Sequence, residues 1–249
     1  MATSKHFAVT VKPTIPASNQ TGAFVQADVL FDWYGFDIPK GAAKLVGVTA
    51  LVRKTNGSGA NVLPFALYYA KSIDGVAPSS LGTPNATADG TGYYNNIIGK
   101  NSIEVKDFAD DYLDVGVHVA TLAAGGADAD KPSFVMQGEP DSGTNVGYDK
   151  LYVAGLTGAS GVFDFASTVQ VGTETTTSTA AVVVKTTSAL TNFATGDVLH
   201  DEDDQVIGTI KTVDSATGIT LEADCASVSA VNKDLYNISP ITLILSFEK

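Results

Sequence analysis

The sequence predicts an all-β protein: a jelly-roll-like β-sandwich main domain with a small barrel-like all-β domain inserted near its C-terminal end. Three observations predict it. Apolar and polar residues alternate with a period of two over runs of strand length. Turn-forming Gly, Pro, Asn and Asp separate those runs, with 24 Gly in 249 residues. Charged residues make up only 17 %, against about 25 % in an average domain. Thr, Ser, Ala and Gly fill the difference, a composition unsuited to helical bundles and coiled coils. Hydrophobic residues reach 44 %, enough for a sizeable core.

The elements follow in chain order. Residues 5–11 alternate, with Phe7, Val9 and Val11 on one face, and Pro13 and Pro16 end the run. Residues 25–33 form a second strand, in which Phe31 and Trp33 share a face and are expected in the core. Residues 38–45 read as a helical turn. Residues 45–54 form a third strand, closed by the hairpin dipeptide Asn56-Gly57. Residues 62–69 continue the sheet, and Pro64 marks an edge strand or a bulge. Residues 71–102 read as a long connection, of the kind that serves as a lid, binding loop or interaction arm. Residues 105–113 suit one or two helical turns. Strands resume at 115–122, 133–137, 151–153 and 162–166, with Gly155, Gly158 and Gly161 reading as a flexible hairpin loop.

Near residue 168 the texture changes to short β-branched strands at 181–185, 197–199, 206–213 and 219–223. Close turns at Gly196, Asp203-Asp204 and Thr217-Gly218 suit a small barrel or sandwich. Residues 168–238 hold three Lys and ten Asp or Glu, so the acidity is concentrated there. The strand at 241–247 is different again, with Ile241, Leu243, Leu245 and Phe247 on one face. So apolar a strand needs a large core and is expected to return to the main domain. The expected domains are therefore residues 1–167 plus 239–249 and, between them, 168–238.

A net charge of -12 argues against nucleic-acid binding, which needs a basic patch, and against an anionic lipid surface. Residues 1–20 carry no charged segment followed by an apolar stretch, so no signal peptide is expected. No apolar run is long enough to span a membrane as a helix. The lone Cys225 forms no intrachain disulfide and is expected to be a small buried residue. Synthesis in a reducing compartment follows.

Chemistry-bearing groups are sparse. The run Asp201-Glu202-Asp203-Asp204 fails the EF-hand pattern, since Val206 and Thr212 stand where Gly and Glu are required. A solvated turn is the plainer reading. His6, His118 and His200 show no metal-ligand spacing, and no Gly-x-Ser-x-Gly elbow is present. The run Gly155 to Gly161 lacks the Lys of a phosphate-binding loop. No catalytic, metal or cofactor residues are assigned. Aromatics are the better lead, because Tyr and Trp anchor interfaces. Tyr34, Phe36, Tyr68, Tyr93 and Tyr94 are the candidate interface residues.

A resemblance enters at Ala27-Asp28-Val29-Leu30-Phe31, then Phe36-Asp37-Ile38-Pro39, then residues 46–52. Leu113-Asp114-Val115-Gly116 and Leu151-Tyr152-Val153 extend it, and residues 193–199, 206–210 and 217–221 of the acidic segment are similar to short all-β modules common in phage structural proteins. The chain resembles small β-sandwich virion proteins of tailed, especially marine, phages. The resemblance implies a non-enzymatic structural role, foremost as a decoration or cement protein on the outside of the phage head. It also implies the major capsid protein as partner, a homo-oligomer such as a trimer, and a virion location after synthesis in the host cytoplasm. A tail- or fibre-associated protein with a host-glycan-binding module is the alternative, although residues 168–238 contain only Phe193 and Tyr236 as aromatics. A glycan-degrading hydrolase ranks third, since it would need paired carboxylates in a cleft.

Overall fold

The computed structural model of the chain describes residues 5–53, 62–108, 117–124, 132–140, 148–158, 163–185 and 189–249. These residues form an almost entirely β structure of three antiparallel sheets. The strands are β1 (His6–Val11), β2 (Val29–Pro39), β3 (Ala43–Arg53), β4 (Phe65–Lys71), β5 (Ile97–Ile103), β6 (Val117–Ala123), β7 (Phe134–Met136) and β8 (Glu139–Pro140). They continue with β9 (Tyr148–Thr157), β10 (Ala181–Val183), β11 (Val198–Asp201), β12 (Val206–Ser215), β13 (Gly218–Leu221), β14 (Leu235–Asn237) and β15 (Ile241–Glu248). Among the described residues the one α-helix, α1, is the four-residue Ala189–Asn192.

Two sheets form the sandwich. The first has the order β1-β15-β3-β6, with β7 also beside β3, and the second the order β2-β9-β4-β5, with β8 beside β9. Alternation sends one face of each strand inward. Val48, Ala50 and Val52 of β3 and Leu243, Leu245 and Phe247 of β15 meet Phe36 and Ile38 of β2, Leu67 of β4 and Val153 of β9 in one buried cluster. Strand β15 lies between β1 and β3, antiparallel to both, with one register slip against β3 between Ser246 and Phe247. That central position explains its apolar sequence. Its buried face alternates strictly with Thr242, Ile244 and Ser246, and Phe247 stacks on Phe7 with ring centres 5.1 Å apart.

The third sheet, of order β10-β13-β12-β11-β14, closes over a separate cluster. Its buried members, from Val169 to Leu235, all come from the acidic segment. The sheet is open, which corrects the barrel-like expectation. Residues 169–172 bond to both edges without forming a strand: the Val171 and Leu235 N–H groups donate to the Lys233 and Val169 carbonyls on one side, and the Gly172 and Lys185 N–H groups to the Val183 and Gln170 carbonyls on the other, around the isolated bridges Gln170 to Asp234 and Val171 to Val184. So short a segment adds no continuous ladder and leaves the sheet unclosed.

Several local expectations are corrected. Residues 38–45 are not helical. Strand β2 runs to Pro39, Gly41 turns the chain at a φ of +100°, and β3 starts at Ala43, so the apolar spacing there spans a hairpin. Strand β2 also lies later than residues 25–33. Strand β4 is internal, between β9 and β5. Pro64 sits just before it, so its missing N–H removes no rung, and its carbonyl accepts from the Gly158 N–H at 2.8 Å. The long connection is shorter than residues 71–102, because its last part is β5. Of residues 105–113 the described part, 105–108, holds a 3-10 turn at Val105–Asp107. Of residues 162–166 the described part, 163–166, contributes the bridge between Phe24 and Phe163 and no strand. Gly155 is in β9 rather than a loop, and a Cβ there would stand 2.5 Å from the Phe31 ring. The Asn56-Gly57 turn, residues 109–116, Gly161 and Val162 lie outside the described residues.

One core group is poorly satisfied. Tyr69 is wholly buried, its ring edge-on to Phe134, and its hydroxyl has no hydrogen-bond partner among the described residues. Burial pushes that phenol far above its ordinary value. A buried hydroxyl without a partner costs about 1–3 kcal/mol. Tyr69→Phe is therefore expected to raise stability by about 1 kcal/mol, seen as a higher urea midpoint at unchanged slope.

Candidate aromatic interface

The irregular chain after β4 folds back against the outer face of the second sheet. Val29, Leu81 and Ala154 form a small buried cluster there, with Trp33, Ala88, Tyr93 and Leu156 packed against it. Polar ties fix the segment. The Trp33 indole N–H donates to the Ser79 carbonyl at 2.9 Å, the Leu81 N–H donates to the Asp32 carboxylate at 2.9 Å, and Asn96 Nδ2 donates to the Lys71 carbonyl at 2.8 Å.

These contacts gather an aromatic group. Tyr93 is edge-on to Trp33 at 6.1 Å and to Tyr94 at 5.2 Å. Tyr68, on β4, carries the Lys100 ammonium 5.7 Å from its ring centre. Burial first, then the neighbouring Tyr94, Tyr68 and Asp89, raise the Tyr93 phenol above its ordinary value. Tyr93 and Tyr94 are thus in ring contact, Tyr68 lies near enough to act electrostatically on Tyr93, and Tyr94 is the most open at 59 % exposed. Tyr34 is exposed on the edge strand β2, and no ring contact joins it to the group among the described residues.

Phe36 is a correction. It is 6 % exposed and packs in the sandwich core 6.4 Å from Phe247, so it is no surface residue. Trp33 is the reverse case, expected in the core beside Phe31. The β2–β9 pairing slips between Val29 and Phe31 and again between Phe31 and Tyr34. Phe31 consequently enters the core while Trp33 joins the outer cluster. The consecutive apolar residues Val29-Leu30-Phe31 break the period of two and were the available signal of that slip.

The acidic turn is built into its own unit. Asp201 is 2 % exposed. One of its oxygens accepts from the N–H groups of Asp203 and Gln205, and the other from the Ser229 hydroxyl at 2.8 Å. Lys233 bridges Glu202 and Asp203 at 2.7 and 2.8 Å. Asp204 accepts from the Ser18 N–H and hydroxyl. The four carboxylates therefore serve three different elements, and no group of three metal-ligating side chains converges among the described residues. Asp201→Ala would strand the Asp203 and Gln205 N–H groups and the Ser229 hydroxyl. The expected loss is about 2–3 kcal/mol, measured by urea denaturation.

The other singled-out groups are structural in their surroundings. His6 and His118 lie on β1 and β6, with β15 and β3 between them, a separation of at least about 14 Å at normal strand spacing. His118 is buried, edge-on to Phe108. His200 is on β11 in the third sheet, its Nδ1 3.1 Å from the Asp204 carbonyl, and burial lowers its pKa. Cys225 is buried, and burial pushes its thiol up, away from the reactive thiolate. Phe193 and Tyr236 are 6 % and 3 % exposed, so the two aromatics of residues 168–238 offer no stacking platform for a sugar. No helix of the described residues is long and apolar enough to cross a membrane.

Sequence reasoning missed the contact between the third sheet and the sandwich. Arg53, the only arginine in the chain, pairs with Asp197 at 2.7 Å. Gln20 donates to the carbonyls of Ile15 and Asn237, and the Ile15 N–H donates to the Ile238 carbonyl at 2.7 Å. A single Arg in a lysine-bearing chain was the one visible hint.

Comparison with known proteins adds little. No family model matches the chain, and no curated protein matches it. Among solved structures, that of infectious bursal disease virus, Gx strain, is similar at 12 % identity and a TM-score of 0.15. The alignment covers 98 % of this chain and 41 % of that one. This chain thus spans about two fifths of that structure's chain, and so low a TM-score carries no argument about fold or role.

Proposed function

We propose that this chain is a non-enzymatic structural protein of a tailed-phage virion, a decoration protein that binds the outside of the head and stabilises it. The observation that carries the reading is the half-buried group of Trp33, Tyr68 and Tyr93 against the outer face of the second sheet, with the exposed Tyr94 beside it. Tyr and Trp supply large contact area with few torsions to freeze, which suits a protein-docking surface. The resemblance of the sequence to tailed-phage virion proteins names the partner as the major capsid protein. In this reading residues 1–167 plus 239–249 are the docking sandwich, and residues 168–238 are an inserted unit that projects from it. The separate buried cluster of the acidic segment supports that division. The charge of -12 keeps free subunits apart and soluble before they dock. A trimer, no nucleic-acid or membrane partner, and synthesis in the host cytoplasm complete the proposal.

The test is light scattering of the purified chain, then co-sedimentation with undecorated capsids. A defined oligomer that pellets with capsids, with pelleting lost in Tyr94→Ala, is the expected result. A chain that stays in the supernatant at every ratio refutes the reading.

A further inference from the structure

Where the third sheet meets the sandwich there is a small cavity of about 30 Å³. Its walls come from both sides of the seam: Gln20, Arg53 and Phe165 from the sandwich, Asn192, Phe193 and Asn237 from the acidic segment. Asn237 is more than nine-tenths buried, and its Nδ2 has no partner among the described residues. A flipped amide does not explain this. The Ser239 N–H donates to Asn237 Oδ1 at 2.9 Å, so oxygen and nitrogen are assigned by the hydrogen bond itself. A buried amide N–H without an acceptor is uncommon in a folded protein.

We infer that the cavity is a hydration site, in which ordered water accepts from Asn237 Nδ2 and joins the sandwich to the third sheet. Three features select water. The volume suits two or three waters, each of which needs about 10–15 Å³, and is small for a ligand with a carbon skeleton. The unpartnered group is a donor and calls for an acceptor. The Arg53 charge is already matched by Asp197 at 2.7 Å, so a neutral occupant suits the site better than an anion. Polar walls retain water where an apolar cavity of this size stays dry. The water extends the line of direct bonds from Ile15 to Ile238 and from Gln20 to Asn237, and the seam becomes a polar, hydrated joint between two apolar cores.

Two measurements on the full chain test this. A crystal structure should place water within about 3.2 Å of Asn237 Nδ2. Solution NMR should give water cross-peaks to the Asn237 and Gln20 side-chain amide protons with the sign of a long-lived, bound molecule. In Asn237→Leu the cross-peak at Gln20 should disappear. A dry cavity, a chloride in its place, an Asn237 amide turned to a protein acceptor, or a Gln20 cross-peak that survives Asn237→Leu would each overturn the inference. Should that variant fail to fold, the two wild-type measurements decide alone.

Discussion

Phe247→Ala should destabilise the chain by about 3–5 kcal/mol, the usual cost of truncating a buried phenylalanine. Phe247 has no exposed surface. Its ring is stacked on Phe7 and tilted against Phe36, so one side chain ties the edge strand β1, the central strand β15 and the facing strand β2. Its backbone pairs with Phe7 on one side and Leu45 on the other. The pairing with β3 slips between Ser246 and Phe247, so the surroundings are already irregular and have little room to collapse into the vacated space. A domain stability of about 5–15 kcal/mol makes such a loss a large part of the whole. Urea denaturation followed by the fluorescence of Trp33, the chain's one tryptophan, measures it. A loss below about 1 kcal/mol would mean that the β1–β15 edge contributes little to the cooperative fold.

The alternating strands were legible because their periodicity is the direct imprint of a two-faced sheet. Residues 5–11, 45–54 and 241–247 came out as β1, β3 and β15 within a few residues, and the placement of Leu243, Leu245 and Phe247 on one face followed from sequence alone. The failures share a cause. At Phe31, Trp33 and Phe36 the chain leaves strict alternation, and a slip of one residue transfers every later side chain to the opposite face. That is why Trp33 and Phe36 exchanged expected places, one to the surface cluster and one to the core. The run 38–45 imitated a helix because Ile38, Ala43 and Leu45 sit on two strands of one hairpin. Tyr68, Tyr93 and Tyr94 were legible as candidates by residue type, but their convergence with Trp33 depends on how the segment after β4 folds back, which no local pattern encodes. The seam through Arg53, Asp197, Gln20 and Asn237 joins residues more than a hundred positions apart and left no periodic trace.

Replacing residues 168–238 with a short Gly-Ser linker should leave a soluble sandwich that still melts cooperatively. Its stability should be lower by about 2–4 kcal/mol, at about 1 kcal/mol net for each lost hydrogen bond or pair. The physical case rests on where the buried contacts are. The cluster of the sandwich contains no residue between Phe165 and Ile241, and the cluster of the third sheet lies wholly between Val169 and Leu235. Strand β15 takes its partners from β1 and β3 alone, so the deletion removes none of its ladder. What is lost is the seam: the Ile15 to Ile238 and Gln20 to Asn237 bonds, the Ser18 contact with Asp204, and the Arg53 pair with Asp197. Arg53 then regains water instead of facing a buried partnerless carboxylate, and its removal from the pair costs less than Arg53→Ala would in the full chain. Closing a surface gap with a short linker adds little entropy cost, because loop closure grows only logarithmically with length. Trp33 lies outside the deleted segment and reports the sandwich in both proteins, so the two urea curves compare directly. A deletion product that is insoluble, or compact without a cooperative transition, would show that the acidic segment is part of one indivisible fold, and the division into a docking sandwich and a projecting insert would fall with it.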